Sequence, residues 1–185
     1  MSDDFSTLGG MLDALWHRLE GAVRDKSGPA RYLTLATRGL MDGAEARMVV
    51  LRQADRPAAN LVLHAHALSH KIAELAADPM ATLLMWDPDV SFQVRLRVRA
   101  DASPGSDADW ARVPEMGRRL NYGSLPPAMP IKGPDTALEA TPDRAAFTRI
   151  QARIDQVDAL QIGQDTVRRA RFSRELEFEG RWIAP

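Results

Sequence analysis

Residues 47–98 read RMVVLRQADRPAANLVLHAHALSHKIAELAADPMATLLMWDPDVSFQVRLRV, and this stretch decides the fold. A run of apolar and β-branched residues, Met48 to Leu51, lies between Arg47 and Arg52. A second apolar strand, Asn60 to Ala65, leads into Ser69, His70 and Lys71, which open a short helix ending near Asp78-Pro79. A third strand, Met80 to Trp86, turns at Pro88 into a fourth, where Val94, Leu96 and Val98 alternate with Arg95, Arg97 and Arg99. Alternation with a period of two marks a half-buried strand. The stretch therefore reads as a meander of four strands with one inserted helix, and the class as mainly β with flanking helices.

The chemistry in this stretch is cationic. Ser69 suits the N-cap of the inserted helix, whose first-turn N–H groups point at any anion placed there. Lys71 adds a point charge, while Arg47 and Arg52 bracket the preceding strand with guanidinium donors suited to phosphate. The same charges also serve, on ordinary sheets, to keep strand edges soluble. His64, His66 and His70 form H-x-H-x3-H, a spacing open to a metal. No cysteine completes such a set, and Glu74 and Asp78 follow on a helix leading away, so no metal site is assigned. Gln93 is an amide able both to donate and to accept, on a strand where a surface glutamine would look the same.

Length and composition fit one domain spanning residues 1–185. The chain can bury a full core, and 45% hydrophobic with 26% charged residues is ordinary for a globule. A net charge of −1 offers no bulk attraction to nucleic acid or an anionic membrane. With no cysteine there are no disulfides, thiolate ligands or thiol redox chemistry, and the start MSDDFSTLGG is acidic where a secretory signal is basic. A cytoplasmic protein without a membrane segment is expected.

Upstream, Leu8, Leu12, Leu15, Leu19 and Val23 form one apolar stripe, which predicts an amphipathic helix within 1–28 that ends at Gly28-Pro29. Arg31 to Thr37 begins the sheet, and Gly39 to Gly43 turns into the strand carrying Arg47. Downstream, Trp110 to Leu120 reads as a helix broken at Pro114. Residues 121–141 hold many prolines but also Leu, Met and Ile, so an ordered loop is expected there rather than a linker. Residues 142–156 read as a helix, with Thr141 as cap, Pro142 first, and Phe147, Ile150 and Ile154 on its buried edge. Two antiparallel strands, Val157 to Gly163 and Val167 to Glu179, close the chain.

The order R-M-V-V-L-R, aliphatic strand, S-H-K-x-x-E-L, D-P, aliphatic strand, F-Q-V resembles the pyridoxamine 5'-phosphate oxidase family. That family reads R-x-V-L-L-K, then S-R-K-x-x-x-L, N-P and R-Q-V. The resemblance covers Tyr32 to Asp101 and, more loosely, A-R-F-S-R-E and the terminal R-W-I-A-P. It implies an FMN-binding split β-barrel working as a homodimer on a small-molecule substrate, with flavin held between subunits.

Carried over by motif, Arg47, Ser69 and Lys71 would hold the FMN phosphate. The backbone of Met48, Val49 and Val50 would meet the ring together with Gln93, and Arg171 would reach it from the second subunit. Arg52 stands where the family has lysine, His64 where it has tyrosine, and His70 where it has arginine. The family's substrate-reading pair in R-x-H-D-R-F is replaced by Val167 and Arg169, which leaves Arg169 to receive an anionic substrate. The expected function is thus an FMN-dependent oxidoreductase related to pyridoxamine 5'-phosphate oxidase, for which pyridoxamine 5'-phosphate itself should be a poor substrate. The alternative is a non-catalytic flavin- or haem-binding protein on the same fold.

Overall fold

The computed structural model describes residues 3–41, 43–133, 135–136 and 141–185. Helix α1 (Leu8–Arg24) starts where the Thr7 hydroxyl accepts from the Gly10 N–H at 3.0 Å. It buries Met11, Leu15 and Leu19 completely, one turn apart on a single face, against the barrel. His17 on its far side is exposed.

The strands are β1 (Tyr32–Arg38), β2 (Ala44–Asp55), β3 (Asn60–His66), β4 (Met80–Asp87), β5 (Phe92–Pro104) and β6 (Phe147–Ile162), then β7 (Val167–Ser173) and β8 (Gly180–Trp182). Their order is β3-β2-β1-β4-β5-β6-β7-β8, and pairing of β3 with β6 closes the first six into an antiparallel barrel. Closure removes the open edges that a six-stranded sheet would expose. Leu33, Leu35, Leu51, Leu63, Leu83, Phe92, Val94, Leu96 and Ile154 fill the interior. Helix α2 (His70–Ala77) carries the chain over from β3 to β4. Here the expected meander needs correction: β4 pairs with β1 and not with β3, so the helix is a crossover between non-adjacent strands.

The larger correction is the expected helix over 142–156. Only one 3-10 turn, Arg144–Ala146, is helical, with the Asp143 carboxylate accepting from the Ala145 N–H; from Phe147 the chain is the longest strand. Ile150 and Ile154 are compatible with a helix edge, but Ala152 is buried between them while Gln151 and Arg153 are exposed, a period of two. Hydrogen bonding to β3 on one side and β5 on the other decides in favour of the strand. The expected strand from Val157 is the second half of β6, and the last one stops at Ser173, where a 3-10 turn (Arg174–Leu176) leads to β8.

Helices α3 (Asp107–Ala111) and α4 (Glu115–Asn121) flank Pro114 as expected. Beyond α4, Tyr122, Val113, Ala146 and Phe147 form a second small core outside the barrel, with Trp110 packed on it. The proline-rich segment is tied at its base: Gly123 bridges to Pro142, and the Asp143 N–H donates to the Tyr122 carbonyl at 2.7 Å. Of the expected ordered loop, Pro134 and residues 137–140 lie outside the described residues, as do Met1, Ser2 and Asp42. Among the described residues no helix is long and apolar enough to cross a membrane.

Candidate functional site

A cavity of about 470 Å³ opens on the outer face of β2 and β3. Its floor is Met48, Val50 and Arg52 of β2 with His64 and His66 of β3, its end wall is Ser69 and Lys71, and its roof is residues 119–131. Seven of the sequence-predicted residues meet here: Met48, Val49, Val50, Arg52, His64, Ser69 and Lys71. Strand alternation explains how. Val49 points into the barrel and offers its backbone, while Met48, Val50 and Arg52 stand on the outer face.

Most of the roof is the start of the proline-rich segment expected as an ordered loop. Leu120, Leu125, Pro126, Pro127, Met129 and Ile131 make it apolar. His66 anchors it. The His66 Nδ1 accepts from the Leu68 N–H at 3.1 Å, which leaves Nε2 as the donor to the Gly123 carbonyl at 3.1 Å. The H-x-H spacing drew attention to this histidine, but for the wrong chemistry. Among the described residues no group of His, Cys, Asp or Glu side chains is placed to hold a metal ion.

Three polar atoms on the cavity floor lack partners among the described residues. Both ring nitrogens of His64 and the Arg52 Nε are buried without a hydrogen bond among the described residues. Burial, reinforced by Arg52, pushes the His64 imidazole down to about 4, so it is neutral near pH 7 and offers one donor and one acceptor. Its ring is held edge-on against Phe147, with centroids 4.7 Å apart. Burial also lowers the Lys71 ammonium; nearby Arg47 adds to this and Glu74 opposes it. Lys71 makes no ion pair among the described residues.

Two predicted anchors are placed otherwise. Arg47 lies outside the cavity lining: its Nη2 donates to the buried Glu74 Oε2 at 2.7 Å and its Nη1 to the Thr37 hydroxyl. The Thr37 hydroxyl in turn donates to the same Glu74 oxygen at 2.6 Å. Ser69 has N-cap backbone geometry but makes no side-chain cap bond, since its hydroxyl donates to the His66 carbonyl at 2.8 Å. His70 is exposed at the first position of α2 and does not line the cavity.

The remaining predicted residues form a second patch on the outer face of β5, β6 and β7. Gln93, Arg169 and Arg171 surround Asp158, which the sequence did not single out. Asp158 accepts from Arg169 Nε and Nη2 at 2.9 and 3.0 Å, from Arg95 Nη2 at 2.9 Å and from Arg171 Nη2 at 3.5 Å. Its carboxyl is held below the usual range: burial pulls it up, but the bonds from Arg169 and Arg95 outweigh that. The Arg171 Nε is a further buried nitrogen without a partner among the described residues.

One register row joins the two patches: Met48, Thr34, Leu84, Arg95, Asp158, Arg171. Adjacent strands lie ~4.8 Å apart, so Arg171 is roughly 24 Å from Met48 along the sheet. Around the other side, β3 meets β6 only over Phe147–Arg153, ~17 Å of strand short of Asp158. Within one chain the two sets do not meet.

No protein-family model matches the chain. It is 30% identical over 163 residues to a pyridoxine/pyridoxamine 5'-phosphate oxidase from Chromohalobacter salexigens, covering 85% of this chain and 66% of that protein. The chain belongs to the pyridoxamine 5'-phosphate oxidase-like split-barrel family. The match spans just under two thirds of that relative's length. Among solved structures, a pyridoxamine 5'-phosphate oxidase-related, FMN-binding protein from Nostoc punctiforme shares the fold at a TM-score of 0.76 and 21% identity, covering 94% of this chain and 96% of that one. PhzG from Burkholderia lata, in complex with tetrahydrophenazine-1-carboxylic acid, has a TM-score of 0.76 at 16% identity, covering 94% and 92%.

Placed in that family, the R-M-V-V-L-R and S-H-K motifs fall on adjoining walls of the cavity, apart from Arg47, Leu51 and His70. The residues fit a flavin mononucleotide. One cation for a phosphate, Lys71, stands at one end, nitrogens unpartnered among the described residues lie at the floor for the polar edge of a ring, and an apolar roof faces them.

Proposed function

We propose that this chain is an FMN-dependent oxidoreductase acting as a homodimer, with each flavin held between the cavity of one subunit and the Arg171 patch of the other. The observation that carries this reading is where the unpartnered buried nitrogens fall. Four residues carry such nitrogens among the described residues, and three of them, Arg52, His64 and Arg171, are ones that the family motifs pick out; the fourth is Arg118. A buried donor without a partner costs about 1–3 kcal/mol, so such atoms mark places where a ligand completes the bonding. The exposed apolar residues Tyr32, Met48 and Trp86, on the sheet face between the two patches, support burial of that face against a second copy.

When bound, the flavin supplies hydride and electron transfer, and the protein's part is to hold it. Lys71 and the first turn of α2 would hold the phosphate. The β2 backbone and Arg52 would contact the ring, with Gln93 and Arg171 of the second subunit serving its polar edge. His64, neutral, would offer one donor and one acceptor. The roof from Leu120 to Ile131 would exclude water.

The substrate lies outside the B6 vitamers. Val167, uncharged, and Arg169, already bonded through two nitrogens to Asp158, support this because neither offers a free charge to a phosphate. The purified protein should carry a ligand with FMN's mass and a flavin absorption spectrum. Pyridoxamine 5'-phosphate should bleach that spectrum slowly in stopped flow, whereas a chemical reductant bleaches it fully. A haem or deazaflavin spectrum, or failure to take up FMN at micromolar concentration, would overturn the cofactor assignment. Fast, saturable bleaching by micromolar pyridoxamine 5'-phosphate would overturn the substrate assignment.

A further inference from the structure

We infer that Asp158 is a positioning residue of the flavin site: its buried carboxylate sets the direction in which Arg171 presents its guanidinium to a flavin bound by the other subunit. The inference rests on the shared-flavin reading above. Asp158 sits in the middle strand of three, directly opposite Arg95 on β5 and Arg171 on β7. Its two oxygens accept four hydrogen bonds from three arginines. Arg169 uses both oxygens and Arg95 takes Oδ2, which Arg171 shares at the longest distance, 3.5 Å. Arg171 is thus fixed at one corner only. Its Nε stays buried and without a hydrogen bond among the described residues.

A structural role alone explains this arrangement poorly. Aspartate is disfavoured in strand interiors, and burying a carboxylate is costly. The strands on either side are already joined by continuous backbone ladders, from Phe92 to Pro104 on β5 and from Val167 to Ser173 on β7. Without the carboxylate, Arg169 and Arg171 stand two residues apart on one face, with Arg95 beside them and Arg181 opposite Arg171 on β8. Like charges placed across adjoining strands repel. Asp158 neutralises one of the three charges on its own row and its diagonal and leaves the outermost guanidinium with donors to spare. That is what an anion-leaning ring edge from a second subunit would need.

The test is a double-mutant cycle on flavin affinity, using the full-length chain stripped of flavin and titrated with FMN and with riboflavin. Asp158→Asn should weaken both ligands about tenfold, the lower end expected for losing one charge-assisted contact. In an Arg171→Ala background it should cause little further loss, and it should shift the absorption bands of bound flavin. Asp158→Glu, which keeps the charge but moves it by one methylene, should fall between; it also serves if Asp158→Asn does not fold. Equal losses with and without Arg171, or no loss at all, would overturn the positioning role while leaving the cofactor assignment intact. Failure of the wild-type chain to bind FMN would overturn both.

Discussion

Lys71 makes no ion pair among the described residues, and it stands at the head of a helix on the wall of the cavity. Its burial lowers its affinity for a proton, and a bound phosphate would restore what burial removes. A hydrogen bond to a charged group is worth ~1.5–3 kcal/mol, or roughly ten- to hundredfold in affinity. Lys71→Ala should therefore weaken FMN by that factor and leave riboflavin, which lacks the phosphate, nearly unchanged in the same titration. Equal losses for the two ligands would mean that Lys71 acts on the ring or on the fold. At this scale the sequence was legible wherever backbone alternation fixes direction: Met48, Val50, Arg52 and His64 reach the outer face because every second residue does. It was not legible where a side chain chooses among partners. Nothing local in the sequence says that Arg47 turns to Glu74, that the Ser69 hydroxyl turns back to His66, or that Asp158 gathers three arginines.

The element that depends most on such a choice is α2. Its Glu74 is buried, and it docks the helix on β1 through the Thr37 hydroxyl and on β2 through Arg47. Removing one partner of a buried ion pair leaves the other charge uncompensated. Arg47→Ala should therefore cost about 3 kcal/mol of stability in flavin-free protein, the low end of the usual range because Arg47 is partly exposed. Adding Glu74→Gln should return most of it. Urea unfolding of the two variants checks this; a double variant no more stable than Arg47→Ala would deny the pairing. The elements themselves were largely readable. α1, α2, α3 and α4 and most strands follow from periodicity and from Pro and Gly punctuation. The failure at β6 is instructive, because Phe147, Ile150 and Ile154 satisfy both a helical and an extended reading. Pairing with β3 and β5, which is invisible locally, settles it. The β3-to-β4 crossover was misjudged for the same reason, since a helix between two strands does not say which neighbours they join.

For the whole molecule, the central claim is that a flavin site is completed only by two chains. Closing the barrel puts the cavity and the Arg171 patch at opposite ends of one register row, so the row must meet its copy for the two halves to face each other. A two-fold axis does this twice, giving two equivalent sites from one self-complementary face. Subunit complementation tests the claim most directly. Lys71→Ala damages the cavity half and Arg171→Ala the other half. When the two variants are mixed and allowed to exchange subunits, each mixed dimer carries one intact site and one doubly damaged site. Random pairing makes about a quarter of all sites intact. FMN titration of the mixture should show that fraction binding with wild-type affinity, although neither variant alone has such sites. A titration equal to the sum of the two separate variants would contradict the shared site.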